Sequence, residues 1–141
     1  MKILLDTCVI SELQKPNCTL SVKTLMNEYS TENIFISVIT IGEIAKGIAL
    51  LREGARKNNL RSWLNGLEES YADNIIKTDT TTARIWGELT ARAQQQGRQV
   101  SAGDGLIAAT ALQYGLHVVT RNVSDFEPTG ALIINPWNNI I

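Results

Sequence analysis

Short, almost uninterrupted apolar runs constrain this chain more than any other feature: residues 2–6 ending in Asp6, IFISV at 34–38 and HVVT at 117–120. A strand with one wet face alternates apolar and polar residues, whereas a strand buried on both faces reads as a continuous apolar run, as in parallel sheets. Helical patterns separate the runs. Ile85, Leu89 and Ala93 recur at four-residue steps with Trp86 beside them, and Leu106, Ile107, Ala109, Ala111 and Leu112 form a helix apolar on most sides. Segments 20–30, 40–52, 56–72 and 80–96 also read as helices, with Gly97 and Gly115 at C-terminal cap positions. The order is strand, helices, strand, helices, strand, helices, strand, strand, which predicts an α/β fold with a parallel sheet covered on both faces. The polar stretch REGARKNN at 52–59 reads as a surface junction between helices. A chain of 141 residues buries one core, so a single domain over 1–141 is expected.

No apolar run reaches the roughly 18 residues that cross a bilayer, and only Lys2 precedes the first run, so neither a membrane span nor a signal peptide is expected. The expected location is the cytoplasm. A formal net charge of −1 argues against nucleic-acid binding through bulk basicity. It leaves room for an enzyme with acid at its centre and bases along a groove. Lys46, Arg52, Arg84, Arg92, Arg98 and Arg121 are the candidates for such a groove. Cys8 and Cys18 lack both CxxC spacing and flanking histidines, which argues against a zinc site or a redox dithiol. The single histidine, His117, opens an apolar run and reads as a structural strand residue, so catalysis by a histidine pair is excluded.

Chemistry concentrates on Asp6, Glu43, Asp104 and Asp125, each of which follows or opens an apolar run. Carboxylates just beyond strand ends, or in the first turn of the next helix, converge at one edge of an α/β sheet. Such a set suits Mg²⁺, which takes oxygen ligands and keeps several waters. Ordinary roles compete. Thr40-Ile-Gly-Glu43 and Ser101-Ala-Gly-Asp104 both match the pattern in which a hydroxyl residue caps a helix and an acid three positions on returns the bond. Asp6 and Asp125 are also placed to start turns. Against these, Asp6 ends a buried strand, a costly place for an unpaired carboxylate. Gly103 and Gly105 clear side-chain bulk from around Asp104.

The strings LLDTCVISEL, ITIGEIAKGI, GDGLIAATAL and TRNVSDFEPTGALIINPW, in that order and spacing, resemble the PIN-domain family. More narrowly, they look like the toxins of VapBC-type and FitAB-type toxin–antitoxin pairs, over essentially the whole chain. The resemblance implies a Rossmann-like three-layer α/β/α sandwich and a Mg²⁺-dependent endoribonuclease site, with Mn²⁺ as a substitute. It matches Asp6, Glu43 and Asp104 to the three family acids and Asp125 to a more variable fourth, with Asp6 and Asp104 as the nearest metal ligands. Thr120 and Asn122 fall on polar positions that bind a metal-linked water or a phosphate oxygen. It also implies RNA as substrate, a cognate antitoxin that brings any DNA contact, and a homodimer or larger complex. Ile48, Leu51, Leu60, Trp63 and Leu64 are candidates for those contacts or for the core. Two departures stand out: Cys8 replaces a frequent Asn, and VSAGDG leads into the third acid. One rival is a noncatalytic binding subunit whose acids are only caps. Phosphoryl-transfer folds with strand-end aspartates fit less well, since Cys8 stands where their second acid would be.

Overall fold

The first apolar run forms β1 (Ile3–Leu5), and all three residues are buried. In this computed structural model, which describes residues 1–138, short helices α1 (Thr7–Leu13) and α2 (Leu20–Asn27) lead to β2 (Ile34–Ser37). Helices α3 (Val38–Ala49) and α4 (Ala55–Ser70) lead to β3 (Ile75–Ile76), and α5 (Thr80–Gln95) and α6 (Ala102–Tyr114) to β4 (His117–Val119). The four-residue α7 (Val123–Phe126) precedes β5 (Ile133–Ile134) and a 3-10 turn over Pro136–Asn138. The five strands are parallel and ordered β3-β2-β1-β4-β5. The strand order therefore reverses beside β1, where the chain crosses to β4.

Period-two alternation splits the apolar runs between two cores. Ile3, Leu5, Ile34, Ile36 and Val119 face one side, where Val9, Val22, Ile44 and Leu64 from α1 to α4 cover them. Leu4, Phe35 and Val118 face the other, against Leu89 of α5, Ile107 and Ala108 of α6 and Phe126 of α7. Two cores on opposite faces of one sheet make the predicted three-layer sandwich, and they explain why the strands are apolar throughout. Burying β1 on both sides removes each of its side chains from water at about 25 cal/mol per Å² of apolar surface.

Helix ends are set by local chemistry. Ser37 caps α3, its hydroxyl accepting from the Ile39 N–H at 3.0 Å, so Val38 opens the helix and the expected start at residue 40 is two residues late. Asp79 caps α5 in a reciprocal box with Thr82. Gly97 (φ 72°) and Gly115 (φ 68°) adopt the left-handed conformation after α5 and α6, as their positions suggested.

The expected surface junction at 52–59 joins α3 to α4 and is exposed at every position but one, Lys57, where it is corrected. Helix α4 starts at Ala55, and Lys57 is buried. Its ammonium donates to the carbonyls of Ala49 and Leu51, both at 3.1 Å, and to Glu53 at 2.8 Å, thereby satisfying the end of α3. Lysine is rarely buried unless paired, so its composition pointed the wrong way. Helix α1 was not expected, because Cys8, Val9 and Ile10 extend the apolar run past Asp6. His117 sits in β4, as read. Ile48 and Leu64 belong to the core, while Leu60 and Trp63 pack partly buried against it. The expected domain ends at residue 141, and its last three positions lie outside the described residues.

Candidate metal centre

Asp6 is the first residue after β1 and Thr120 the first after β4, and these strands are neighbours with Leu5 opposite Val119. The Asp6 N–H continues the ladder by donating to the Val119 carbonyl at 3.0 Å. Both residues therefore stand at the carboxyl ends of the strands flanking the reversal of strand order, the crevice in which open α/β sheets take their ligands. Asp6 is only 4% exposed. Its Oδ2 accepts from the Thr120 hydroxyl at 2.8 Å and from the Cys8 thiol at 3.4 Å. Among the described residues no side chain donates to Oδ1, which leaves that oxygen for a ligand.

Cys8 occupies this position as a neutral donor. Burial pushes its thiol up; the Arg121 N–H opposes that, and the Asp6 charge reinforces it. The thiol therefore keeps its proton at neutral pH and shares Oδ2 with Thr120. Thr120 is fully buried, donates a hydrogen bond to Asp6 and accepts from the Asn122 N–H at 3.0 Å. Its hydroxyl, expected from sequence to bind a metal-linked water or a phosphate oxygen, is here engaged with Asp6 and the Asn122 N–H.

Asp104 lies in the first turn of α6, where the Ser101 hydroxyl accepts its N–H at 3.2 Å. The cap read from Ser101-Ala-Gly-Asp104 is real, and it leaves the Asp104 carboxylate free to face the cluster. Burial pushes that carboxyl above the usual carboxylate range; the Ser101 hydroxyl opposes the shift, and the charges of Asp6, Asp125 and Glu43 add to it. The other proposed cap does not form. Ser37 takes that role, and Glu43 lies inside α3 on an exposed turn. Thr40 is buried, and its hydroxyl has no partner among the described residues.

Glu43 reaches the site because Gly103 has no side chain. A Cβ on Gly103 would stand 2.8 Å from Glu43 Oε2. The other oxygen, Oε1, accepts from the Thr7 hydroxyl at 2.6 Å, one residue after Asp6. Gly105 makes the matching allowance on the inner side, since a Cβ there would meet the Trp86 ring at 2.8 Å. Asp125 is exposed in α7, with its N–H on the Asn122 carbonyl at 3.1 Å; Asn122 is also exposed.

Thus Asp6, Glu43, Asp104 and Asp125 converge on one edge, closely enough for the charges of the other three to act on Asp104. Among the described residues, no three acids are closed into a ready-made cage. Hydroxyls hold two of the carboxylates by one oxygen each, and like charges oppose closer approach. An all-carboxylate donor set of this kind fits a hard divalent cation that retains several waters. Thr7 and Trp86 were not singled out from sequence. Thr7 adjoins Asp6, but nothing local indicates that it reaches Glu43 across 36 positions.

Two cavities bear on the site. A groove of about 230 Å³ runs beside Glu43 and Thr7, floored by Ile44, Ile48, Leu60 and Trp63. A larger one, about 520 Å³, opens near the amino ends of the strands between Lys2, Phe35, Ile75 and Leu116, and none of the four acids lines it. Carboxylate chemistry, rather than cavity size, identifies the site.

Fold and edge together define an α/β protein that gathers carboxylates where its strand order reverses. The chain belongs to the PIN domain family, whose model matches residues 3–129. It is 36% identical over 138 residues to Toxin FitB of Neisseria gonorrhoeae, covering 97% of this chain and 99% of that protein. It is also 36% identical over 136 residues to VapC ribonuclease Y4jK of Sinorhizobium fredii, covering 96% and 97%. The solved structure of FitAB bound to an IR36 DNA fragment superposes with a TM-score of 0.91 at 34% identity, covering 99% of this chain and 98% of that one.

Proposed function

We propose that this chain is the toxin of a type II toxin–antitoxin pair and acts as a metal-dependent endoribonuclease. The observation that carries this reading is the buried Asp6 carboxylate, held on one oxygen and open on the other, at the strand-end edge where its charge and that of Glu43 act on Asp104. Kinship with proteins named as a toxin and a ribonuclease supports the same activity. The reaction is hydrolysis of an RNA phosphodiester, leaving 5′-phosphate and 3′-hydroxyl ends.

Asp6 and Asp104 are the nearest ligands of Mg²⁺, with Mn²⁺ as a substitute; Glu43 and Asp125 complete the set directly or through water. When bound, the cation neutralises charge developing on a phosphoryl oxygen and makes water more acidic. The chain's own contributions are positional. Thr120 and Cys8 fix the Asp6 carboxylate, and Thr7 fixes Glu43. The α6 N-terminus favours the ionised form of Asp104. Asn122 is placed at the rim to meet a phosphate oxygen. Single-stranded or looped RNA suits this open edge, because bases are read mainly where they are unpaired.

The partner is an antitoxin that covers the groove beside Glu43 and brings the pair to DNA, a reading supported by the FitAB complex on DNA. A homodimer or larger toxin–antitoxin assembly goes with it. The domain spans the whole chain and works in the cytoplasm; among the described residues no helix is long and apolar enough to cross a membrane.

The test is incubation of antitoxin-free protein with defined RNAs in Mg²⁺, Mn²⁺ or EDTA, beside Asp6→Asn and Asp104→Asn. Cleavage is expected only with the divalent cation and only in the parent chain. Cleavage surviving EDTA and both substitutions would return the acids to capping roles.

A further inference from the structure

Arg121 directly follows Thr120, and its backbone N–H donates to Cys8 Sγ at 3.5 Å, so it stands on the same strand-end edge as Asp6. Its chain position, one residue after the threonine that holds Asp6 and four before Asp125, puts its backbone at the acidic edge. Among the described residues, however, Arg121 forms no salt bridge and its side chain donates no hydrogen bond. Its Cζ instead lies over the Trp137 ring, 5.2 Å from the centroid. Trp137 is itself anchored: it packs against the core that includes Val22 and Leu25, and its N–H donates to Asn135 Oδ1 at 3.0 Å.

This arrangement has two physical consequences. Attraction between cation and ring restrains a side chain that otherwise samples many rotamers. The five guanidinium N–H donors stay available, because a ring face occupies none of them. A restrained cation with open donors at the rim of an acidic site matches a phosphodiester oxygen. A polyanion approaching four carboxylates also needs local positive charge, which a chain of net charge −1 does not supply in bulk.

We propose that Arg121 binds a phosphate of the RNA strand flanking the scissile position, with Trp137 as its positioning residue. This rests on the nuclease reading above. Arg121 holds the strand across the edge, and Trp137 keeps the guanidinium from collapsing onto Asp6 or Asp125.

The test is fluorescence anisotropy with a short, unstructured, labelled single-stranded RNA, antitoxin-free protein and constant Mg²⁺, titrated over a KCl series and read before measurable cleavage. Arg121→Ala is expected to weaken binding and to reduce the slope of log affinity against log salt by about 0.7, the value for one single-strand phosphate contact. Arg121→Lys keeps the slope. Trp137→Leu is expected to weaken binding in the parent chain but not when added to Arg121→Ala, while lowering the melting temperature equally in both backgrounds; a purely structural role would weaken both alike. Unchanged affinity and slope in Arg121→Ala, with a parent chain that binds RNA, overturns the proposal alone. Equal Trp137→Leu losses in both backgrounds overturn the positioning role. A parent chain that binds no RNA at any salt removes the nuclease reading together with it.

Discussion

Thr120 Oγ1 lies 2.8 Å from Asp6 Oδ2 and donates a hydrogen bond to it, joining residues 114 positions apart across the β1/β4 pair. Parallel pairing alone brings them together: β4 returns beside β1 only after three quarters of the chain has been laid down on either side. The bond fixes which Asp6 oxygen is left for a ligand.

Thr120→Val keeps the shape and removes that donor. It is expected to lower kcat/KM on an RNA substrate by at least tenfold and to cost about 1 to 3 kcal/mol of stability, because a buried carboxylate loses a hydrogen bond. Thr120→Ser should restore most of both. Paired kinetics and thermal melts check this; a fully active Val variant would show that the orientation of Asp6 is set elsewhere.

Gly103→Ala puts a methyl group where Glu43 Oε2 now rests. The clash is with the end of a flexible side chain, so the fold survives and the carboxylate moves. Activity is expected to fall by about tenfold to a hundredfold, in line with an ångström-scale displacement of a catalytic group, with a melting temperature near that of the parent. Gly105→Ala meets the rigid Trp86 ring instead. It should destabilise the fold by about 1 to 3 kcal/mol through overpacking. Comparing the two substitutions separates an effect on the site from an effect on packing.

Asp104 links activity to stability through its charge. Its carboxyl sits above the usual range, chiefly through burial. The folded state therefore binds the proton more tightly than the unfolded one, so stability declines as pH rises from the unfolded value through the raised folded one. In EDTA at neutral pH, Asp104→Asn is expected to melt at a higher temperature than the parent while being inactive. Below pH 3 the difference should vanish, since both chains are then neutral at this position. Calorimetric scans across pH check the sign.

Lys57→Met tests the correction to α4. The substitution removes the donor that satisfies the Ala49 and Leu51 carbonyls. It should cost about 2 kcal/mol, as for loss of hydrogen bonds from a charged group, and leave RNA cleavage intact, because Lys57 does not reach the acids. Denaturant melts and cleavage assays on the same preparation decide the matter.

The legible parts of the fold were those with a one-dimensional signature. Nearly continuous apolar runs marked β1, β2 and β4, because burial on both faces leaves polar residues only at strand ends such as Ser37 and His117. Helix α5 showed in its four-residue steps and α6 in being apolar on most sides, and Gly97 and Gly115 marked their ends. Strands β3 and β5, two residues each, are too short to carry a period, so the expected element order included a strand at each place without giving it bounds. They exist because β2 and β4 present open edges to pair with. Helix α1 hid inside the apolar continuation of β1, and Lys57 looked like surface until the end of α3 was seen to need its donors.

The sequence by itself placed carboxylates at residues 6, 43, 104 and 125 beside apolar runs, after a buried strand or early in a following helix, because a parallel sheet leaves its strand ends as the place where polar groups can emerge. Only the tertiary structure decided which oxygens are held and which are open. Thr120, Thr7 and Gly103 act on Asp6 and Glu43 from strands and helices far away in the chain, and distances of that kind are set by how layers pack. It also decided between the two caps: Ser101 holds α6, while Ser37, one residue inside the end of β2's apolar run, takes the cap of α3 and leaves Thr40 inside the helix. Local pattern names the residues that can do the chemistry, and packing assigns each its partner.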